Sequence, residues 1–283
     1  MKPSMPPRIP DSDSHKAASE VRLQISPDTM SRLALNMLGQ PNDTTCGPTC
    51  LQAAYEYFGD PISLDEVVAE THELIQGGTL AVLLGTHALS RGYDALLYSY
   101  NLEVFDPTWS VLDSSELAVK LARRRQLVPE LAANGLGHNP RLHVALDAYH
   151  RFLVQGGTCR FDELCGDLIR RYLSLGLPIL TGLSATHLYR CRRINQTGAY
   201  DDVGGMPEGH FVVLSGYDAA AQTVQVSDPW SEARHTARNY WVSMERLINA
   251  ILLGAFTYDA NLLIIKPKSG PHSERPLANP TVT

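Results

Sequence analysis

The sequence predicts an α+β fold, with helices first and an antiparallel sheet later. Three observations carry this. Apolar residues recur at helical spacing through most of residues 47–175, strand-length apolar runs cluster after Pro178, and no internal repeat or low-complexity linker divides the chain. With 283 residues, 44% hydrophobic and 19% charged, the chain can bury a substantial core of ordinary globular composition.

The first helix is expected over residues 47–58, where Leu51, Ala54, Tyr55 and Phe58 share a face and Gly59 offers a stop. Ser63-Leu64-Asp65-Glu66 is a capping-box pattern that opens a second helix, burying Leu64, Val67, Val68 and Leu74. Gly77-Gly78-Thr79 resets the chain before a third helix through Leu80, Leu83, Leu84, His87 and Ala88, closed by Gly92. Residues 96–100 suit a short strand. Helices are then expected over 115–127, 141–154 and 162–175, separated by Gly-Leu-Gly and Gly-Gly breaks. Strands follow at 179–183, 211–217, 223–227 and 262–266, with a helix near 244–253.

Residues 1–26 are rich in Pro, Ser, Asp and Lys, and the stretch 268–283 carries three prolines; both read as unstructured ends. Between them one domain, 27–267, is the simplest account. Its helical stretch 106–162 reads as an insertion that covers or reshapes a cleft and offers a surface to a partner protein.

A formal net charge of -6 gives no support to nucleic-acid binding, and the short arginine runs at 123–125, 170–171 and 192–193 read as solvated faces. Five cysteines without regular spacing make no disulfide framework. Neither Cys46/Cys50 nor Cys159/Cys165 has a second pair at zinc-ribbon spacing, so no metal or other cofactor is expected. The N-terminal stretch lacks the apolar run of a signal peptide, and the longest apolar-leaning segment, 247–256, is too short to span a bilayer. A cytoplasmic location follows as the default, where reducing conditions keep a thiol free.

Cys46 is the most informative residue. In Gln40-Pro41-Asn42-Asp43-Thr44-Thr45-Cys46-Gly47-Pro48 a turn-prone stretch runs directly into a helix, so the thiol stands at a helix N-terminus. Unpaired N–H groups and the helix dipole favour the thiolate there. A nucleophilic cysteine also needs a base and a group that orients it. His210 opens the strand His210-Phe211-Val212-Val213-Leu214, fixed by the sheet yet at its mouth. A hairpin through residues 218–222 would return the second strand so that Asp228, in Asp228-Pro229-Trp230, approaches His210 as the orienting carboxylate. Gln40, shortly before the nucleophile, can join the Cys46 N–H in holding an oxyanion. Trp230 would shield the Asp–His pair or simply pack against it. Asp201, Asp202 and Glu208 read as a solvated acidic loop, and His187 with Cys191 lacks the further ligands of a metal site.

The block Gln40…Cys46-Gly47-Pro48…Cys50-Leu51, the strand Gly209-His210-Phe211-Val212-Val213-Leu214 and the turn Val226-Ser227-Asp228-Pro229 resemble family thirty-nine of the cysteine peptidases. Leu175-Gly176-Leu177-Pro178-Ile179-Leu180 resembles that family's helix-to-strand entry. The resemblance implies a papain-like fold, with Cys46 the nucleophile, His210 the base, Asp228 the orienting carboxylate and Gln40 the oxyanion donor. It also implies a peptide or amide substrate cleaved through an acyl-enzyme. Relatives in bacteriocin exporters are fused to membrane and ATP-binding domains; this chain has neither a membrane span nor a Walker-type loop and is expected to be a stand-alone soluble member. Thr45 stands where many relatives carry an acid. Two alternatives remain open: an acyl or peptidyl transferase on the same triad, and a non-catalytic peptide-binding protein that keeps the fold.

Overall fold

The computed structural model describes residues 30–71, 79–133, 140–230, 237–257 and 260–268. The expected unstructured ends (apart from Lys268), Leu74, Gly77-Gly78 and the Gly-Leu-Gly break at 135–137 lie outside the described residues. In chain order the elements are β1 (Met30–Arg32), α1 (Cys46–Tyr57), α2 (Leu64–Glu70), α3 (Ala81–Ser90), β2 (Tyr93–Ser99), α4 (Ser114–Ala133), α5 (Pro140–Val154), β3 (Thr158–Arg160), α6 (Gly166–Ser174), β4 (Ile179–Ser184), α7 (Ala185–Tyr189), β5 (Gly209–Asp218), β6 (Thr223–Ser227), β7 (Asn239–Ser243), α8 (Met244–Leu253) and β8 (Asn261–Pro267). Helices and an extended sheet are both present, so the α+β expectation holds.

Local signals set most of the boundaries. Gly59 and Gly92 follow α1 and α3 with φ of 75° and 85°, a left-handed conformation that suits glycine and ends a helix. The capping box forms as read: the Glu66 N–H donates to Ser63 Oγ at 3.2 Å and the Ser63 N–H donates to Glu66 Oε2 at 3.0 Å. Within α2 only Val67 is fully buried; Leu64 and Val68 are half-covered. α6 begins four residues later than periodicity suggested, because 161–165 is a loop and Cys165 takes the N-cap position.

The sheet runs β3-β2-β8-β4-β5-β6-β7, with β1 pairing β5 off that path. All these pairings are antiparallel except β2 with β3, which is parallel. The C-terminal strands β4–β8 thus pair antiparallel, as expected, and the parallel pair lies outside them. A parallel pair needs a long crossover, and α4 with α5 supplies it.

Alternation divides the central strands between two cores. Leu180, Phe211, Val213, Leu263 and Ile265 pack with α1, α3 and α5, whereas Ile179, Val212, Leu214, Leu262 and Ile264 pack with α6 and α8. The helical stretch expected as an insertion therefore extends a core: Leu117, Leu121, Leu146 and Phe152 are buried with the residues of α1 and α3. Along the other edge of α1, residues 33–40 run from the β1–β5 pairing toward the end of β6. Leu33 N–H donates to Ser215 carbonyl at 2.7 Å and Gln40 N–H to Pro229 carbonyl at 2.7 Å. Two backbone hydrogen bonds thus bring Gln40 to the turn that follows β6.

Candidate active site

α1 starts at Cys46 itself. Thr45, its N-cap, makes no side-chain capping bond, and no acid lies in the first turn. The Thr45 side chain is committed backward, donating to the Asn42 carbonyl at 3.0 Å. The first N–H groups of α1 are therefore not taken by a side-chain cap, as an oxyanion or thiolate at this end requires. Gly47 lets the helix seat closely: a Cβ there would lie 2.4 Å from Thr79 Cγ2. One turn on, Cys50 is fully buried, and burial, with Cys46 and Asp228 adding, pushes its thiol well up. Cys50 is thereby the inert thiol of the pair.

His210 is the second residue of β5 and faces Leu183 across the β4 pairing. The hairpin forms as expected, with Val213 opposite Ser227 and a bulge between Leu214 and Gly216. Asp228 follows directly, one residue past the end of β6, and its N–H donates to the Arg238 carbonyl at 2.9 Å. From there Asp228 Oδ1 lies 2.9 Å from His210 Nε2. Both are buried, His210 at 2% and Asp228 at 3% exposure.

Because an ionised carboxylate only accepts, Nε2 must carry the proton, and Nδ1 is the ring nitrogen left for Cys46. Cys46 is the second hydrogen-bonding partner of His210. Burial pulls the imidazole toward its neutral form, but the hydrogen bond and charge of Asp228, with smaller help from Cys46, outweigh it. His210 is pushed up to about 10. For Asp228, burial works toward protonation and is overcome by His210 and by two tyrosine hydroxyls, which hold the carboxyl well below its usual range. The Trp230 ring stands edge-on to the imidazole at 5.1 Å, and the Trp230 backbone N–H donates to Asp228 Oδ1 at 2.9 Å. Trp230 therefore both covers the pair and binds it.

Gln40 is 7% exposed. Its Nε2 donates to the Asn42 carbonyl at 2.9 Å, inside the turn that leads to Cys46, while its buried Oε1 has no hydrogen-bond partner. The four residues singled out from the sequence thus come from α1, β5, the turn after β6 and the strap before α1, and the fold gathers the first three into one hydrogen-bonded line. In the acidic loop Asp201 Oδ1 accepts from the Val203 and Gly204 N–H groups at 2.9 and 2.8 Å, holding its own turn, and Asp202 is exposed, whereas Glu208 is half-buried rather than solvated. Among the described residues no cluster of three or more His, Cys, Asp or Glu could hold a metal, and no helix is long and apolar enough to cross a membrane.

Residues 155–249 match the model of the Peptidase_C39 like family. Over that stretch, about a third of the chain, the sequence is similar to that family. The matched segment contains His210 and Asp228; Cys46 and Gln40 lie before it. No curated relative matches the sequence. Among solved structures, the chain is similar to a C39-like chain from Bacillus anthracis (12% identity, TM-score 0.44, 86% of this chain and 99% of that one covered). It is also similar to a double glycine motif protease from an AMS/PCAT transporter, in complex with its leader peptide (14%, 0.39, 84% and 95%). A third is xylellain, a cysteine protease from Xylella fastidiosa (12%, 0.38, 84% and 86%). All three fall below a TM-score of 0.5, so the site is built from this chain's own geometry.

The matched segment also contains two residues that sequence reasoning missed. Tyr189, the last residue of α7, donates its hydroxyl to Asp228 Oδ2 at 2.5 Å, and Tyr240 on β7 donates to the same oxygen at 2.7 Å. Neither belongs to a motif; only the shared carboxylate reveals them.

Proposed function

We propose that the chain hydrolyses a peptide or amide bond through Cys46, His210 and Asp228, with an acyl-enzyme intermediate. The observation that carries this is the double partnership of His210: Asp228 on Nε2 at 2.9 Å and Cys46 as its other hydrogen-bonding partner. The match of residues 155–249 to the Peptidase_C39 like family supports the same reading.

An imidazolium that survives to about 10 is the natural counter-ion of a thiolate. The Cys46 thiolate attacks the carbonyl carbon, and the carbonyl oxygen takes the negative charge. The Cys46 N–H and Gln40 Nε2 are the donors proposed for it. His210 then gives its Nδ1 proton to the leaving amine, and the tetrahedral centre collapses to a thioester. Water attacks that thioester, His210 takes the water's proton, and Cys46 departs with the acid released. Asp228 holds the imidazole ring and its tautomer throughout. Reducing surroundings such as a cytoplasm keep Cys46 available.

The test is alkylation of the folded protein with iodoacetamide, mapped by mass spectrometry, alongside peptide-library cleavage by wild type and Cys46→Ala. Cys46 is expected to label faster than Cys50 and faster than cysteine in the urea-unfolded chain, and cleavage is expected to vanish in Cys46→Ala. Labelling of Cys46 no faster than in the unfolded chain would overturn the proposal.

A further inference from the structure

Asp228 has more donors than an orienting carboxylate needs. Oδ1 takes His210 Nε2–H and the Trp230 N–H, and Oδ2 takes the hydroxyls of Tyr189 and Tyr240. A carboxylate has about four lone-pair sites, so every one is occupied. The two phenols come from separate elements, α7 and β7, and meet on one oxygen. Packing alone would be met by phenylalanine, and a buried hydroxyl is unfavourable unless it finds an acceptor. Burial and the Asp228 charge push both phenols far up, so they remain donors across the working range.

We propose that Tyr189 and Tyr240 are positioning residues for the reaction: together they clamp Asp228 Oδ2, keeping the carboxylate ionised and Oδ1 aimed at His210 when the imidazole becomes neutral. This rests on the reading of His210 as the proton carrier. During turnover His210 loses its charge, and Asp228 then loses the cation hydrogen-bonded to it. Two neutral donors on Oδ2 stay in place through that step. Without them a buried carboxylate would favour taking up a proton, and a protonated Asp228 cannot hold the imidazolium beside Cys46. Among the described residues, the titratable and charged groups around Asp228 are His210 from β5, Tyr189 from α7, Tyr240 from β7, the Cys46 and Cys50 thiols from α1, and Arg238, whose guanidinium donates to the Pro229 carbonyl at 3.4 Å.

The experiment uses Tyr189→Phe, Tyr240→Phe and the double variant, which keep the rings and remove the hydroxyls. Two readouts are followed from pH 1.5 to 9: the rate of Cys46 alkylation by iodoacetamide, and the carbon-13 titration of the Asp228 carboxyl by NMR. In each single variant the acid midpoint is expected to rise by on the order of one pH unit, and further in the double, with little change near pH 8. In an Asp228→Asn background the same changes should move no midpoint. A rate that falls equally at every pH with an unmoved midpoint would overturn the clamp and leave the tyrosines structural. If the double variant does not fold, the singles decide. Should they also not fold, a wild-type Asp228 carboxyl titrating in the ordinary carboxylate range would overturn the clamp. The NMR readout is independent of reactivity, so a wild-type Cys46 that labels no faster than unfolded cysteine would sink the catalytic reading without touching the clamp.

Discussion

Replacing Asp228 by asparagine tests the charge logic of the site through stability. The side chain is 3% exposed and accepts four hydrogen bonds, from His210, Trp230, Tyr189 and Tyr240. Asparagine keeps the shape and one acceptor oxygen but removes the negative charge that holds the imidazolium. Breaking one side of a buried ion pair costs about 3–5 kcal/mol. The cost should depend on pH in a definite direction. In the wild type His210 is pushed up to about 10 from an ordinary 6.5. Its stabilisation is therefore fully present below about 6.5 and is lost as pH rises through about 10. In the variant burial is opposed only by the smaller pull of Cys46 and keeps the imidazole neutral, so the stabilisation from Asp228 is missing at every pH. The depressed carboxyl of Asp228 acts at the other end: its stabilisation is present above the ordinary carboxylate range and fades only as pH falls below it. Urea unfolding followed by tryptophan fluorescence at pH 6, 8 and 9.5 separates these cases. The difference between wild type and Asp228→Asn is expected to be largest at pH 6, about 3–5 kcal/mol, and less than about half that at pH 9.5. A difference that is flat across this range, or that grows toward pH 9.5, would refute the reasoning.

Two further outcomes follow from the same geometry. Gln40→Ala should lower turnover about 100- to 1000-fold while iodoacetamide labelling of Cys46 changes less than about threefold, because only acyl attack generates an oxyanion; equal loss of both rates would show that Gln40 supports the thiol instead. Gly47→Ala would set a Cβ 2.4 Å from Thr79 Cγ2 and 3.3 Å from Leu84 Cδ1. Overpacking of this kind costs about 1–3 kcal/mol, and an unchanged thermal melt would mean that α3 can yield.

The parts of the site that were legible in the sequence each sit on a strong local signal. Cys46 follows a turn and opens an apolar-periodic helix, and His210 opens an unbroken apolar strand. Asp228 ends the returning arm of a hairpin, so antiparallel register alone carries it toward His210, even with the bulge at Ser215. Tyr189 and Tyr240 had no such signal. α7 is only five residues long, and Tyr240 lies on a strand whose burial alternates weakly, so each tyrosine reads as an ordinary amphipathic residue. β1 and β3 have three residues each, too few for a period to show. The parallel pairing of β2 with β3 goes with the crossover through α4 and α5, in which α4 packs on α5 and α5 on α3, a tertiary arrangement that no alternation pattern records.

Burial and ionisation at this site depend on each other. Asp228 and His210 are too deep to be charged unless each finds partners, yet together they are paired on every face: four donors on the carboxylate, and Asp228 and Cys46 on the imidazole. Depth in turn strengthens the pairing, because low dielectric around Trp230 and the two tyrosines weakens screening of the Asp228 charge. The result is an imidazolium that persists well above neutral pH next to a thiol at a helix start. A proton already resident on His210 changes what the first chemical step requires. On the proposed mechanism, attack on a carbonyl then needs no prior transfer from Cys46, and the proton goes to the departing amine. A substrate whose leaving group needs no proton should accordingly gain little from Asp228, whereas an amine-releasing substrate should lose most of its rate in Asp228→Asn; equal losses for both would place the role of Asp228 in holding the fold rather than the proton.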